Sequence, residues 1–208
     1  MSTTAAPAGW AIRLHDAMDW IFWVARINVL WWLFTLAGAG VLGAAPASVA
    51  ATTMTRQRLR GESVPLLRGF ARTWKREFLR ANATAGPAIW ASTVLGVAAA
   101  GTTDPALRVT FLAAFVLAFA NACVVIPLYA HYDVPLGSYI SVAGRWSLRN
   151  IPHVLLLLLS AVVIVTVSSA VPGIVPFLTM GAWIVINTVL AVGFFTANDK
   201  RIDADLTH

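Results

Sequence analysis

Of the chain's 208 residues, 59% are hydrophobic and only 12% charged, against roughly 25% charged in an ordinary soluble domain. A soluble core of this size has no room for that much apolar surface, so lipid must solvate much of it. The formal charge of +6 would suit a nucleic-acid surface, but eight of the fifteen Lys and Arg residues lie between Arg56 and Arg80, beside apolar stretches; that placement reads as a positive cytoplasmic loop with no nucleic-acid partner.

In chain order, Trp10, Leu14, Ala17, Met18, Ile21 and Phe22 form an apolar stripe at helical spacing, which leads into a first predicted span at about 20–42. Ala44-Ala45-Pro46-Ala47 has the look of a signal-peptidase site. The apolar stretch before it is far longer than the ~7–15 residues of a secretory h-region, so the first span is expected to stay uncleaved. Gly38, Gly40 and Gly43 predict a turn, and Pro46 suits a first helical position, giving a short helix over 46–60. At ~22 Å this helix is short for a lipid-facing span but fits inside a bundle or as a re-entrant half-helix. It returns the chain to the side on which it began.

Over 65–80 the pattern is amphipathic: Leu67, Phe70, Ala71, Trp74 and Phe78 on one side, Arg68, Arg72, Lys75, Arg76 and Arg80 on the other. This predicts an interfacial helix, with Trp and Phe at the headgroup boundary and the basic residues towards anionic lipid or a partner protein. Four more spans follow at about 82–100, 108–130, 152–171 and 175–197, each near the ~20 apolar residues that a bilayer core requires. Gly101 to Pro105 and Val171 to Gly173 are short turn compositions, so each joins an antiparallel hairpin. Lys and Arg are retained in 56–80, at Arg145 and Arg149, and at Lys200 and Arg201, but not in those turns. The positive-inside rule then sets 56–80, 131–153, the C-terminus and the N-terminus on the cytoplasmic side of a bacterial inner membrane. The fold expected is all-α: a polytopic transmembrane bundle forming a single integral membrane domain.

Little in the sequence points to chemistry. Arg26 is the formal charge well inside a predicted span; about 10 Å in from Trp20, it reaches the boundary by snorkelling or pairs with Asp19, two turns back on its own face. Asn28 lies on a different face and, with Thr35, is expected to bond a neighbouring helix, as are Asn121 and Asn187. No Asp or Glu falls inside a span, which argues against a proton-coupled carrier. His131-Tyr132-Asp133 and His153 match no metal-ligand spacing, and Cys123, the single cysteine, reads as a small core residue. No phosphate-binding Gly loop, zinc-hydrolase motif or nucleophile elbow is present, so neither an enzyme nor a cofactor is expected.

Asn28-Val29-Leu30-Trp31-Trp32-Leu33-Phe34 and the Gly-rich stretch after it, Ala45-Pro46-Ala47, Arg58-Leu59-Arg60-Gly61-Glu62, the run Phe70 to Phe78 with Lys75, and Ile126-Pro127-Leu128-Tyr129-Ala130 together resemble the YesL-like family of bacterial membrane proteins. That family often has Arg where His131 stands here. The resemblance implies a small multispan protein, often encoded beside ATP-driven sugar importers and carbohydrate-degrading enzymes, and brings no catalytic residues with it. The expected function is a non-enzymatic accessory or regulatory membrane protein, associated with a carbohydrate ABC importer through its basic segment. The alternative is a small-solute channel or facilitator lined by Asn28, Thr35, Asn121 or Asn187.

Overall fold

A computed structural model describes residues 9–63, 65–171, 173 and 178–206, with the side chains of 9, 11 and 198–206 outside the description. The described residues form eight α-helices and one short 3-10 turn, with no strand among them: α1 (Gly9–Ala37), α2 (Val41–Leu59), α3 (Leu66–Thr84), α4 (Gly86–Gly101), α5 (Pro105–His131), the 3-10 turn Leu136–Ser138, α6 (Tyr139–Arg149), α7 (Ile151–Ala170) and α8 (Met180–Leu206). Four stretches are long and apolar enough to cross a membrane: Ile12–Ala37, Pro105–His131, Ile151–Ala170 and Met180–Ala197. A fifth arises if α3 and α4, bent by 63° at Ala85, count as one broken span. The protein thus has the helices of a multi-pass membrane protein.

The short helix is the centre of the bundle. Eleven of the nineteen residues of α2 are buried, from Gly43 to Thr55, and α1, α3, α4, α5 and α8 all pack against it. Small residues make this possible. At the α1–α2 turn, Ala39 and Gly40 take positive φ, and a Cβ on Gly43 would stand 2.2 Å from the Thr35 carbonyl oxygen; the two helices approach backbone to backbone. Trp31 Nε1 donates to Ser48 Oγ, which donates to the Ala44 carbonyl, binding α1 to α2 through a buried pair of hydrogen bonds.

Pro46 lies inside α2 rather than at its start, which corrects the expected boundary of 46–60. A proline has no N–H to offer the carbonyl four residues back, here that of Leu42. Asn82 of α3 fills the gap: its Nδ2 donates to the Leu42 oxygen at 2.9 Å and to the Phe78 oxygen at 2.8 Å. A side chain from one helix thus completes the backbone ladder of another, and Gly40 and Val41 can begin the helix early.

The other expected boundaries shift for similar local reasons. The first span and the stripe before it are one continuous helix, α1, ending at Ala37 rather than 42 because the Gly38–Gly40 turn stops it. Trp10, Leu14, Met18, Ile21 and Phe22 are all exposed along it. The α4–α5 hairpin turns at Thr102–Asp104 as expected, with Asp104 Oδ1 accepting from the backbone of Ala106 and Leu107 as the N-cap of α5. The turn at Pro172 and the start of the fifth span at 175 fall on residues outside the description. Within 131–153, expected as a polar connection, α6 is an additional amphipathic helix that buries Tyr139 and Ala143.

Candidate functional site

One end of the bundle gathers most of the polar chemistry. The C-terminal ends of α2 and α5, the middle of α3, the start of α6 and the middle of α8, at Phe194 and Phe195, meet there. Arg58 of α2 pairs with Asp19 of α1 and lies over the rings of Trp20 and Trp23, 4.8 and 4.6 Å from their centroids. Arg56 Nη2 donates to His131 Nδ1 at 3.1 Å. A guanidinium can only donate, so Nδ1 carries no proton in this arrangement. His131 also stacks near Phe195 of α8, and His153 packs on Phe194 with ring centroids 4.0 Å apart. Each histidine is thus placed among aromatic rings, and among the described residues no group of three His, Cys, Asp or Glu side chains is close enough to hold a metal.

Beside this junction lies an open cavity of about 480 Å³. Its floor carries a residue that sequence reasoning missed. Glu77 is buried, and both of its carboxylate oxygens are engaged: Oε1 accepts from Arg76 Nε at 2.7 Å and Oε2 accepts from the Tyr129 hydroxyl. Burial alone favours the neutral acid; the hydrogen bonds from Tyr129 and Arg76, with the charges of Arg76 and Arg80, outweigh it and hold the carboxyl below the ordinary range. Tyr132, Asp133 and Tyr139 form another wall. Tyr139 is fixed at the centre of its loop, its hydroxyl donating to the Tyr132 carbonyl and accepting from Val134 N.

The basic residues of α3 divide into two sets. Arg68, Arg72 and Lys75 are exposed on the outer face, while Arg76 and Arg80, also exposed, turn to the cavity rim. The aromatic residues of α3 pack against the bundle. Phe70 is fully buried and half-buried Trp74 packs between Phe34 and Phe78, with centroid distances of 5.5 and 4.9 Å. The apolar side of α3 therefore packs on α1 and α2, and the large apolar side chains that α3 does expose are Leu67 and Leu79, among its basic residues.

None of the intramembrane polar candidates lines this cavity. Asn28 is buried, and its Oδ1 accepts from Gly181 N, near the start of α8, at 2.9 Å. A Cβ on Gly181 would stand 2.3 Å from the Val24 carbonyl oxygen, so this bond sits at a close crossing of α1 and α8. Asn121 Nδ2 donates to the Ile140 carbonyl at 3.3 Å, joining α5 to α6. Asn187 is buried in α8 and Thr35 in α1. Arg26 is exposed on the outside of α1, and Asp19, its expected partner, pairs with Arg58 instead.

A family profile described as "Protein of unknown function, DUF624" matches residues 24–99, the stretch that holds the C-terminal half of α1, all of α2 and α3, and most of α4. Three proteins of Bacillus subtilis (strain 168) are similar over longer spans. The chain is 28% identical to uncharacterized protein YteU over 174 residues, 81% of this chain and 78% of that protein. It is 31% identical to uncharacterized protein YesV over 185 residues, 85% of this chain and 86% of that one, and 30% identical to uncharacterized protein YesL over 135 residues, 62% and 64% of the two. No solved structure matches the chain. The breadth of the YesV match, with the profile over the helices that build the bundle centre, places the chain in the YesL-like family, the proteins of unknown function grouped as DUF624.

Proposed function

We propose that this protein is a non-enzymatic accessory or regulatory protein of the bacterial inner membrane that meets its partner through the outer basic face of α3. The observation that carries this reading is the division of α3 itself. One side is locked onto α1 and α2, while Arg68, Arg72 and Lys75 stand exposed on the other with no ion pair among the described residues. A rigid helix that presents unpaired charge suits docking on an acidic protein surface or on anionic headgroups. Its setting supports the same reading: α3 bends away from α4 by 63°, so if α4 follows the membrane normal, α3 lies closer to the plane of the headgroups. The convergence of Arg56, Arg58, Arg76 and Arg80 at that end favours the cytoplasmic side for it. The resemblance makes a carbohydrate ABC importer the partner to try first.

The channel reading, with Asn28, Thr35, Asn121 and Asn187 as its lining, gains less support: none of the four lines the cavity, and Asn28 and Asn121 bond across helix contacts, while Thr35 Oγ1 and Asn187 Oδ1 are buried without a hydrogen bond among the described residues. The test is purification of a tagged chain in mild detergent from its own cells, beside Arg68→Glu/Arg72→Glu. The accessory role predicts a membrane-transport subunit at near-stoichiometric yield with the wild type, and at least tenfold less with the double variant at equal expression. A wild type that purifies without such a subunit, or a variant that retains it undiminished, would overturn the proposal.

A further inference from the structure

We infer that the cavity between α2, α3, α5 and α6 is a binding site for the phosphate ester of a short polyol, either the glycerol-phosphate headgroup of a lipid or its soluble counterpart. This stands apart from the accessory reading, since it concerns Arg76 and Arg80 at the cavity rather than the outer face of α3. At about 480 Å³ the cavity falls in the size range of small-ligand sites. Arg76 and Arg80 are four residues apart and so neighbours on one face of the helix. Arg76 uses only Nε on Glu77, and the Arg80 guanidinium makes no hydrogen bond or ion pair among the described residues. Two guanidinium groups with spare donors, side by side at a cavity mouth, match the geometry of a phosphate better than that of a point charge.

The carboxylate beneath them does not oppose this. Both Glu77 oxygens are already engaged by Arg76 and Tyr129, so its charge is matched and it serves to fix Arg76 at the rim. The remaining formal charge on the lining is Asp133, exposed and without an ion pair among the described residues. A carboxylate only accepts, so what it adds to the site is an acceptor for hydroxyl groups. Tyr132 and Tyr139 supply ring faces and edges beside it. A phosphate at the arginine rim with hydroxyls at Asp133 is the chemistry of a polyol phosphate. The bundle end that holds the cavity is also the end where basic residues converge, so a headgroup and a soluble ester both have access.

The experiment uses the full chain in phosphatidylcholine nanodiscs with glycerol 3-phosphate as the soluble probe, read by thermal shift and calorimetry, and in parallel native mass spectrometry from phosphatidylglycerol-containing membranes. Arg80→Gln is compared with Arg72→Gln, which removes the same charge from the outer face. Binding of glycerol 3-phosphate that weakens at least tenfold in Arg80→Gln and stays within twofold in Arg72→Gln supports the site with a soluble ligand. Retention of one phosphatidylglycerol per chain, lost with Arg80→Gln and kept with Arg72→Gln, supports it with a lipid ligand. Failure of both probes, or equal effects of the two substitutions on both, overturns it. Asp133→Asn adds a check on the polyol half: it should weaken glycerol 3-phosphate while leaving inorganic phosphate unchanged. If binding of both is unchanged, the polyol assignment is wrong.

Discussion

α2 and α7 are of nearly equal length, nineteen and twenty residues, and they invert the ordinary relation between hydropathy and burial. α7 is a run of Leu and Val, yet only Val154, Leu157, Ala161 and Ser168 are buried in it. α2 carries Ser48, Thr52, Thr53, Thr55 and Pro46, is not among the helices long and apolar enough to cross a membrane, and buries eleven residues. In a membrane protein, high hydropathy marks the helix that touches lipid; the helix surrounded by protein is free to be small and polar, since its neighbours supply both contacts and hydrogen bonds. Position in the bundle is thus written in residue size more than in hydrophobicity.

The sharpest way to break that comparison is to add volume to each helix. Gly43→Val in α2 would drive its Cβ into the Thr35 carbonyl, where the obstruction is backbone and cannot turn aside. The expected cost is at the upper end of overpacking, ~3 kcal/mol or more, seen as lost folded yield and a collapsed melting transition in detergent. Val163→Phe adds more volume to α7 at a position already 52% exposed and should leave both unchanged. Equal tolerance at the two positions would mean that α2 is not the centre of the bundle.

A smaller effect tests how α2 keeps its proline. Asn82→Ala removes the donor that stands in for the missing Pro46 N–H and leaves the part-buried Leu42 carbonyl without that bond, at a cost of about 1 kcal/mol. Pro46→Ala should be mild, because an alanine amide restores the ladder while Asn82 still has Phe78. In the double variant the new amide serves Leu42 directly, so the loss from Asn82→Ala should be at least halved. Additive losses in thermal or denaturant unfolding would show that Asn82 acts through something other than Leu42.

These residues also show what the sequence made legible. The apolar helices Pro105–His131 and Ile151–Ala170 lie within a few residues of the stretches 108–130 and 152–171, because a long apolar run is visible in composition alone. The extent of α2 was missed because Pro46 reads as a start signal, and only a contact with Asn82, far along the chain, lets the helix run through it. α6 was hidden by Pro135 and Gly137 before it, although Tyr139, Val142, Ala143 and Trp146 keep helical spacing. Glu77 is not singled out by any sequence motif. Its spacing from Phe70, Thr73 and Ala81 sets it on their buried face, a signal that was present. Its bond to Tyr129, 52 residues away, was not recoverable from one sequence.

The smallest expected effect concerns a charge on an outward face like that of α7. Arg26 shares the exposed side of α1 with Phe22, Val29 and Leu33, and among the described residues it makes no hydrogen bond or ion pair. A charge held at the centre of a bilayer would cost ~2.5–3.5 kcal/mol even on the lenient insertion scale. Helical side chains lean towards the N-terminus, which carries the guanidinium back along α1 towards the level of Asp19, about 10 Å away along the axis, where the Arg58 pair and the Trp20 ring already stand. Such a charge is an anchor that needs length and sign but no particular geometry. Arg26→Lys should therefore shift stability by less than ~0.5 kcal/mol in thermal unfolding, while Arg26→Glu, which replaces a long cation by a shorter carboxylate that snorkels less well, should lower the inserted yield. A channel would behave differently: its arginine would touch the permeating solute, and Arg26→Lys would alter flux in reconstituted vesicles at unchanged stability. Flux that responds to this substitution would overturn the anchor role and would show that the outward face of α1 is covered by a second chain rather than by lipid.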